Sequence, residues 1–84
     1  MDAEYVSLVV SRFGPRLKEL RGKAGLSQAA LGERCGVRQA SVAEYERGTS
    51  SPTWPAVVKL AHALGVTPDA FIAAASAKEN RNSD

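Results

Sequence analysis

Residues 38–47, RQASVAEYER, put two arginines, a glutamine and a glutamate among small residues. If the stretch is helical, Val42 and Tyr45, three apart, share the inner side, and Arg38, Gln39, Ala40, Ala43, Glu44 and Arg47 face outward. The chemistry on that outer side is recognition. A glutamine amide can donate to and accept from the N6 and N7 of adenine, a methyl can meet the thymine methyl, and a carboxylate can accept from cytosine N4. Catalysis has no comparable set of groups. The chain has one histidine, His62, one cysteine, Cys35, scattered carboxylates and no glycine-rich phosphate loop. Cys35 is expected to be a small core residue, because no second cysteine exists and His62 lies in another segment. Neither a metal nor a cofactor is expected.

A reading helix needs a frame, and the residues around it supply one. Gln28–Arg47 reads as two short helices joined by a tight turn at Gly36, with Leu31, Cys35, Val37, Val42 and Tyr45 as the apolar side. Ser27 is the natural cap of the first of these. Gly32, inside that helix, costs about 1 kcal/mol relative to alanine, which implies close approach of another backbone. Two such helices cannot bury their apolar sides alone, so the rest of the chain is expected to cover them, leaving the second helix as a probe for the DNA major groove.

The covering elements follow the same spacing rules. Phe13, Leu17, Leu20 and Ala24 recur as one helix face, with Arg16, Lys18 and Lys23 away from it. Pro15 belongs in a first turn and Ser11 can cap, so this helix is expected to start near Ser11–Phe13 and stop at Gly25. Thr53, Trp54 and Pro55 open a further helix whose core face is Val57, Leu60, Ala61 and Leu64; His62 falls outside and Gly65 closes it. Thr67-Pro68 opens a short fifth helix with Phe71 and Ile72 inward. Residues 1–10 are apolar but undecided: they could extend the first helix, pair as a strand with a second subunit, or fold over the core, and their β-branched density favours the strand. The expected organisation is an N-terminal extension at 1–10, a single domain at 11–75 and a disordered tail at 76–84.

Bulk properties agree with one globular domain. The chain has 84 residues, 44% of them apolar. No apolar run approaches the ~20 residues of a membrane span, no secretion signal is evident, and a lone cysteine fits a reducing cytosol, so a cytoplasmic protein is expected. Net charge is only +2, but residues 12–59 hold nine Lys or Arg against four Glu, a balance of +5 with mildly acidic ends. That distribution suits a polyanion-binding face.

In order and spacing, LKELRGKAGLSQ (Leu17–Gln28), the Leu31, Gly32, Gly36, Val42 framework, YERG (Tyr45–Gly48) and PTWPAVVKLAHALGV (Pro52–Val66) resemble the phage-repressor-like, Cro or xenobiotic-response-element type, helix-turn-helix proteins. The resemblance runs from about Phe13 to Ile72. It implies an all-α fold, a compact five-helix bundle of the lambda-repressor-like type with the helix-turn-helix at helices 2–3. It further implies that Gln28 grips a phosphate and braces the recognition helix, and that Gln39, Ala40 and Glu44 face base edges with Arg38 and Ser41 at the margin. Arg47, Thr49 and Ser50 would touch phosphates, and Arg21 would pair structurally with Glu46. Two positions depart from the pattern: Arg38 stands where a serine or threonine usually caps helix 3, and Gly32 where alanine is commoner.

The function expected on these grounds is sequence-specific transcriptional regulation on double-stranded DNA. A half-site of a few base pairs implies a homodimer on a roughly palindromic operator. No membrane partner is expected, and with no sensing domain in view no small-molecule effector is either. The alternative is a protein–protein module, antitoxin-like or partner-binding, that keeps the fold and loses DNA binding.

Overall fold

The computed structural model describes residues 3–72. It contains four helices, α1 (Ala3–Lys23), α2 (Gln28–Cys35), α3 (Gln39–Arg47) and α4 (Trp54–Leu64), and a further helical turn at residues 69–72. No strand occurs among the described residues. The tail expected to be disordered, 76–84, and residues 73–75 lie outside them.

Two of the cap residues read from sequence, Ser27 and Thr53, make the expected bonds. Ser27 Oγ accepts from the Ala30 N–H at 3.0 Å, and Thr53 Oγ1 accepts from the Ala56 N–H at 3.3 Å, with Pro55 in the first turn of α4. Each satisfies one of the donors that a helix start leaves without an intrahelical partner. Gly36 takes φ +75° between α2 and α3, a conformation that side chains disfavour, and this reverses the chain within three residues.

Every element contributes to one core. Leu17 of α1, Leu31 of α2, Val42 of α3 and Leu60 of α4 are fully buried, and Phe71 closes the set from the last turn. Phe71 stacks on Phe13 with ring centroids 4.8 Å apart and a 40° tilt. Arg16 holds the same junction, its Nε donating to the Ala70 carbonyl at 2.8 Å. Its side chain therefore does not lie away from the core as its spacing suggested.

Of the alternatives open for the N-terminus, extension of the first helix is the one found, not the strand that β-branched density favoured. Residues 3–10 form no strand; they are the first two turns of α1, which runs through Pro15 without a break. Tyr5, Leu8 and Val9 continue the Phe13, Leu17, Leu20 stripe backwards at helical spacing and are half-buried. Pro15 offers no N–H to the Ser11 carbonyl, but both residues are exposed, so the missing donor is not a buried loss. Ser11 does not cap: its hydroxyl donates to the Leu8 carbonyl at 3.0 Å.

Candidate nucleic-acid interface

The outer face of α3 follows from helix geometry. At about 100° per residue, Gln39, Ala40, Ala43, Glu44 and Arg47 fall within an arc of about 140° centred near Ala40 and Arg47, while Val42 and Tyr45 point the opposite way. The exposures agree: Gln39, Ala40 and Arg47 are exposed, Ala43 and Glu44 half-exposed, and Val42 fully buried. Ser41 lies about 60° beyond the arc and is half-buried. Ala43 belongs to this surface by position, although its small apolar side chain gave no signal of recognition.

What fixes this face is a part-buried charge network at the far end of α3. Arg21 of α1 clamps Glu46, with Nε 2.6 Å from Oε2 and Nη2 3.0 Å from Oε1. Arg21 Nη1 also donates to the Leu26 carbonyl at 2.9 Å, and Gln28 Nε2 donates to Glu46 Oε1 at 3.1 Å. The Glu46 side chain is only 5% exposed. Burial by itself would raise its pKa, but the hydrogen bonds from Arg21 and Gln28 outweigh burial and hold it below the usual carboxylate range. Glu46 is thus ionised and paired internally, which leaves Glu44 as the one carboxylate on the outer face of α3.

Gln28 is thereby a brace between α2 and α3. Its carboxylate partner can only accept, which fixes the amide orientation, and a second amide hydrogen is left for another acceptor. Thr49 Oγ1 donates to the Glu44 carbonyl at 3.3 Å, beside its own N–H at 3.0 Å, so this hydroxyl closes the end of α3. Ser50 is half-buried in the loop that follows.

Arg38 occupies the N-cap position of α3 with extended backbone and makes no side-chain cap bond. Its side chain is exposed at the N-terminal edge of the outer face. Arg38→Ser is expected to restore a cap and raise stability by about 1 kcal/mol, measured as a higher urea midpoint.

Two glycines that set the position of α3 are invisible to charge or hydrophobicity. A side chain on Gly32 would run into the Val37 carbonyl, so the turn between α2 and α3 folds directly onto the α2 backbone. This is the close approach that Gly32 implied. Gly14 does the same for α1 against α3: a Cβ there would stand 2.6 Å from the Glu46 carbonyl oxygen and 2.7 Å from that of Tyr45. Nothing in the periodicity of helix 1 singled out Gly14.

Among the described residues, no group of three or more His, Cys, Asp or Glu is placed to hold a metal ion. None of their helices is long and apolar enough to cross a membrane. Cys35 is half-buried against the core and His62 is exposed, as their positions suggested.

The chain is similar to several known proteins in sequence and fold. A family profile described as a helix-turn-helix domain matches residues 12–73. The SPbeta prophage-derived uncharacterized HTH-type transcriptional regulator YonR of Bacillus subtilis is 35% identical over 57 residues, covering 68% of this chain and 53% of its own. The chain thus spans about half the length of that curated relative. The restriction-modification controller protein C.AhdI of Aeromonas hydrophila superposes with a TM-score of 0.71 at 38% identity, over 79% of this chain and 97% of its own. The P22 c2 repressor, solved with synthetic operator 9T, superposes with a TM-score of 0.66 at 32% identity, over 70% of this chain and 89% of its own.

Proposed function

The chain belongs to the helix-turn-helix family of the Cro/C1 type, and we propose that it is a sequence-specific DNA-binding transcriptional regulator that reads the major groove with α3. The observation that carries this reading is the outer face of α3, open to solvent and anchored from behind by the Arg21–Glu46–Gln28 network. A helix anchored through its last turn places its side chains reproducibly against base edges, which discrimination of about 1–3 kcal/mol per bidentate contact requires. The similarity to a repressor solved on an operator and to a restriction-modification controller supports the same reading.

Roles follow from position. Gln39 and Ala40 meet base edges near the start of α3, and Glu44, one turn later, accepts from cytosine or repels sequences that present only acceptors. Arg38 reaches a phosphate or a guanine from the N-terminal edge. Gln28 offers its second amide hydrogen to a phosphate while bracing Glu46, and Arg47 and the Thr49–Ser50 loop complete the backbone contacts. The operator is a palindrome bound by two copies, with half-sites about 34 Å apart.

Titration of random-sequence duplex at several salt concentrations tests the proposal. Affinity should fall steeply as salt rises, and Arg47→Ala should reduce the slope of log affinity against log salt by about 1. Binding that ignores salt, or no binding, would favour the protein-interaction module instead. Arg38→Ser, more stable than the parent, should bind duplex more weakly; unchanged affinity would remove Arg38 from the interface.

A further inference from the structure

Glu44 is a carboxylate on a face that meets a polyanion, and among the described residues no hydrogen bond or ion pair reaches its side chain. Phosphate repulsion therefore opposes binding unless the carboxylate finds a donor. In the major groove the donors are cytosine N4 and adenine N6, and adenine N6 is flanked by the N7 acceptor, so cytosine is the better match. A helical side chain leans toward the N-terminus and covers the turn before its own Cα. That brings the Glu44 carboxylate over the turn carrying Ala40, four residues earlier and about 40° away around the helix. Ala40 is exposed, and Ala43, half-exposed, lies about 60° to its other side, so a methyl patch adjoins the acceptor. We propose that the Glu44 carboxylate and the Ala40 methyl read one base together, and that the base they fit best is 5-methylcytosine. Glu44 accepts from its N4 amino group while the Ala40 methyl packs on its C5 methyl. This rests on the DNA-binding reading of α3 and makes operator affinity responsive to cytosine methylation.

Each other base fails one half of the pair. Thymine carries the methyl but presents O4, an acceptor, to the carboxylate. Guanine presents two acceptors, N7 and O6, and has no methyl. Unmodified cytosine supplies the donor but leaves the Ala40 methyl against a bare C5 edge. 5-Methylcytosine joins the cytosine donor to the thymine methyl on neighbouring ring atoms, as acceptor and methyl are neighbours on α3. The two groups are also held in register. Both lie on one helix whose last turn is anchored through Glu46 by Arg21 and Gln28, and alanine has no rotamer to fix.

The test begins by selecting duplexes from a randomised pool with the full chain. Each cytosine of the selected operator is then replaced in turn by 5-methylcytosine or by thymine, and each thymine by uracil. One C·G pair in each half-site should emerge at which thymine weakens binding by about 10- to 100-fold. Methylation of that cytosine in one half-site should tighten binding about fourfold, the effect of burying one methyl group. The salt dependence should not change on methylation, because no phosphate contact changes. Glu44→Gln should remove the preference for cytosine over thymine at that pair. Ala40→Gly should abolish the methylation gain but not the cytosine preference, and Ala40→Ser, the better helix former, should do the same if the glycine variant folds poorly.

Methylation that is neutral or unfavourable at every cytosine overturns the proposal, as does a gain that survives both Ala40 substitutions. A loss on replacing thymine by uracil that Ala40→Gly abolishes would put the Ala40 methyl on a neighbouring thymine, and overturns it too. A selected operator without a methylation response leaves the DNA-binding reading intact and removes only the joint role of Glu44 and Ala40. Failure to select any duplex removes the DNA-binding reading itself.

Discussion

Arg21→Ala is expected to cost about 3 kcal/mol of folding stability at neutral pH. The substitution removes two hydrogen bonds and the balancing charge from Glu46, whose side chain is 5% exposed, and leaves a carboxylate held by the Gln28 amide alone. The interaction would be small if both partners were in water; here it is large because the surviving charge has nowhere to go. The pH dependence identifies the cause. In the parent the Glu46 pKa is lowered, so its contribution is complete above the unfolded value of about 4.3 and is lost as pH falls through the folded value. Without Arg21, burial is the dominant influence and raises the folded pKa above the unfolded one. Protonation then relieves the variant as the solution becomes acidic. Urea unfolding should therefore show the widest gap between parent and variant near pH 7 and a narrower one at pH 4.5. A gap independent of pH would show that lost packing, rather than the stranded carboxylate, causes the damage. The same variant should bind DNA poorly even where it is folded, because the last turn of α3 loses its anchor.

Gly14→Ala should destabilise the fold by about 2 kcal/mol, although alanine is intrinsically the better helix former by about 1 kcal/mol. The added methyl would meet two carbonyl oxygens, of Glu46 at 2.6 Å and of Tyr45 at 2.7 Å, and neither belongs to a flexible side chain. The Tyr45 oxygen also accepts the Gly48 N–H that ends α3, at 3.2 Å, so α3 cannot yield without loosening its own terminus. Relief requires α1 and α3 to separate, which opens the core to which Leu17 and Val42 both belong. Gly22→Ala is the matched control on the same helix. No atom lies within 4 Å of a Cβ at that position, so the propensity gain should appear unopposed and raise the melting temperature. Opposite signs for one substitution at two positions of α1 would establish close backbone approach as the reason for Gly14. Equal signs would refute it.

Much of the fold was legible because its signals are local. Ser27 and Thr53 cap the helices they were expected to cap, and Leu31, Val42 and Leu60 repeat at helical spacing and are buried where that spacing puts them. The outer face of α3 was legible for the same reason, since two buried positions three apart determine which side remains. The start of α1 was not. Pro15 argued for a helix beginning nearby, and the valines of residues 6–10 argued for a strand, yet the helix begins at Ala3. Both signals are weak propensities of order 1 kcal/mol or less, or apply only where a missing N–H is buried, and Pro15 is exposed. The half-burial of Leu8 and Val9, with Phe13, Leu17 and Leu20 continuing their stripe, outweighs them.

The sequence by itself determined which residues face outward on α3, where three of the helices begin and end, and that a basic middle segment surrounds the candidate reading helix. These depend on side-chain type and on spacing along one helix, and both are written in the chain. Only the tertiary structure decided the role of Arg16, the partner through which Gln28 braces α3 and the need for glycine at position 14. Arg16 reaches Ala70, 54 residues away, and Gln28 reaches Glu46, 18 residues away. Gly14 is constrained by carbonyls of another helix. Contacts at such separations depend on how helices stack, and stacking is set by the summed burial of many side chains rather than by any one motif.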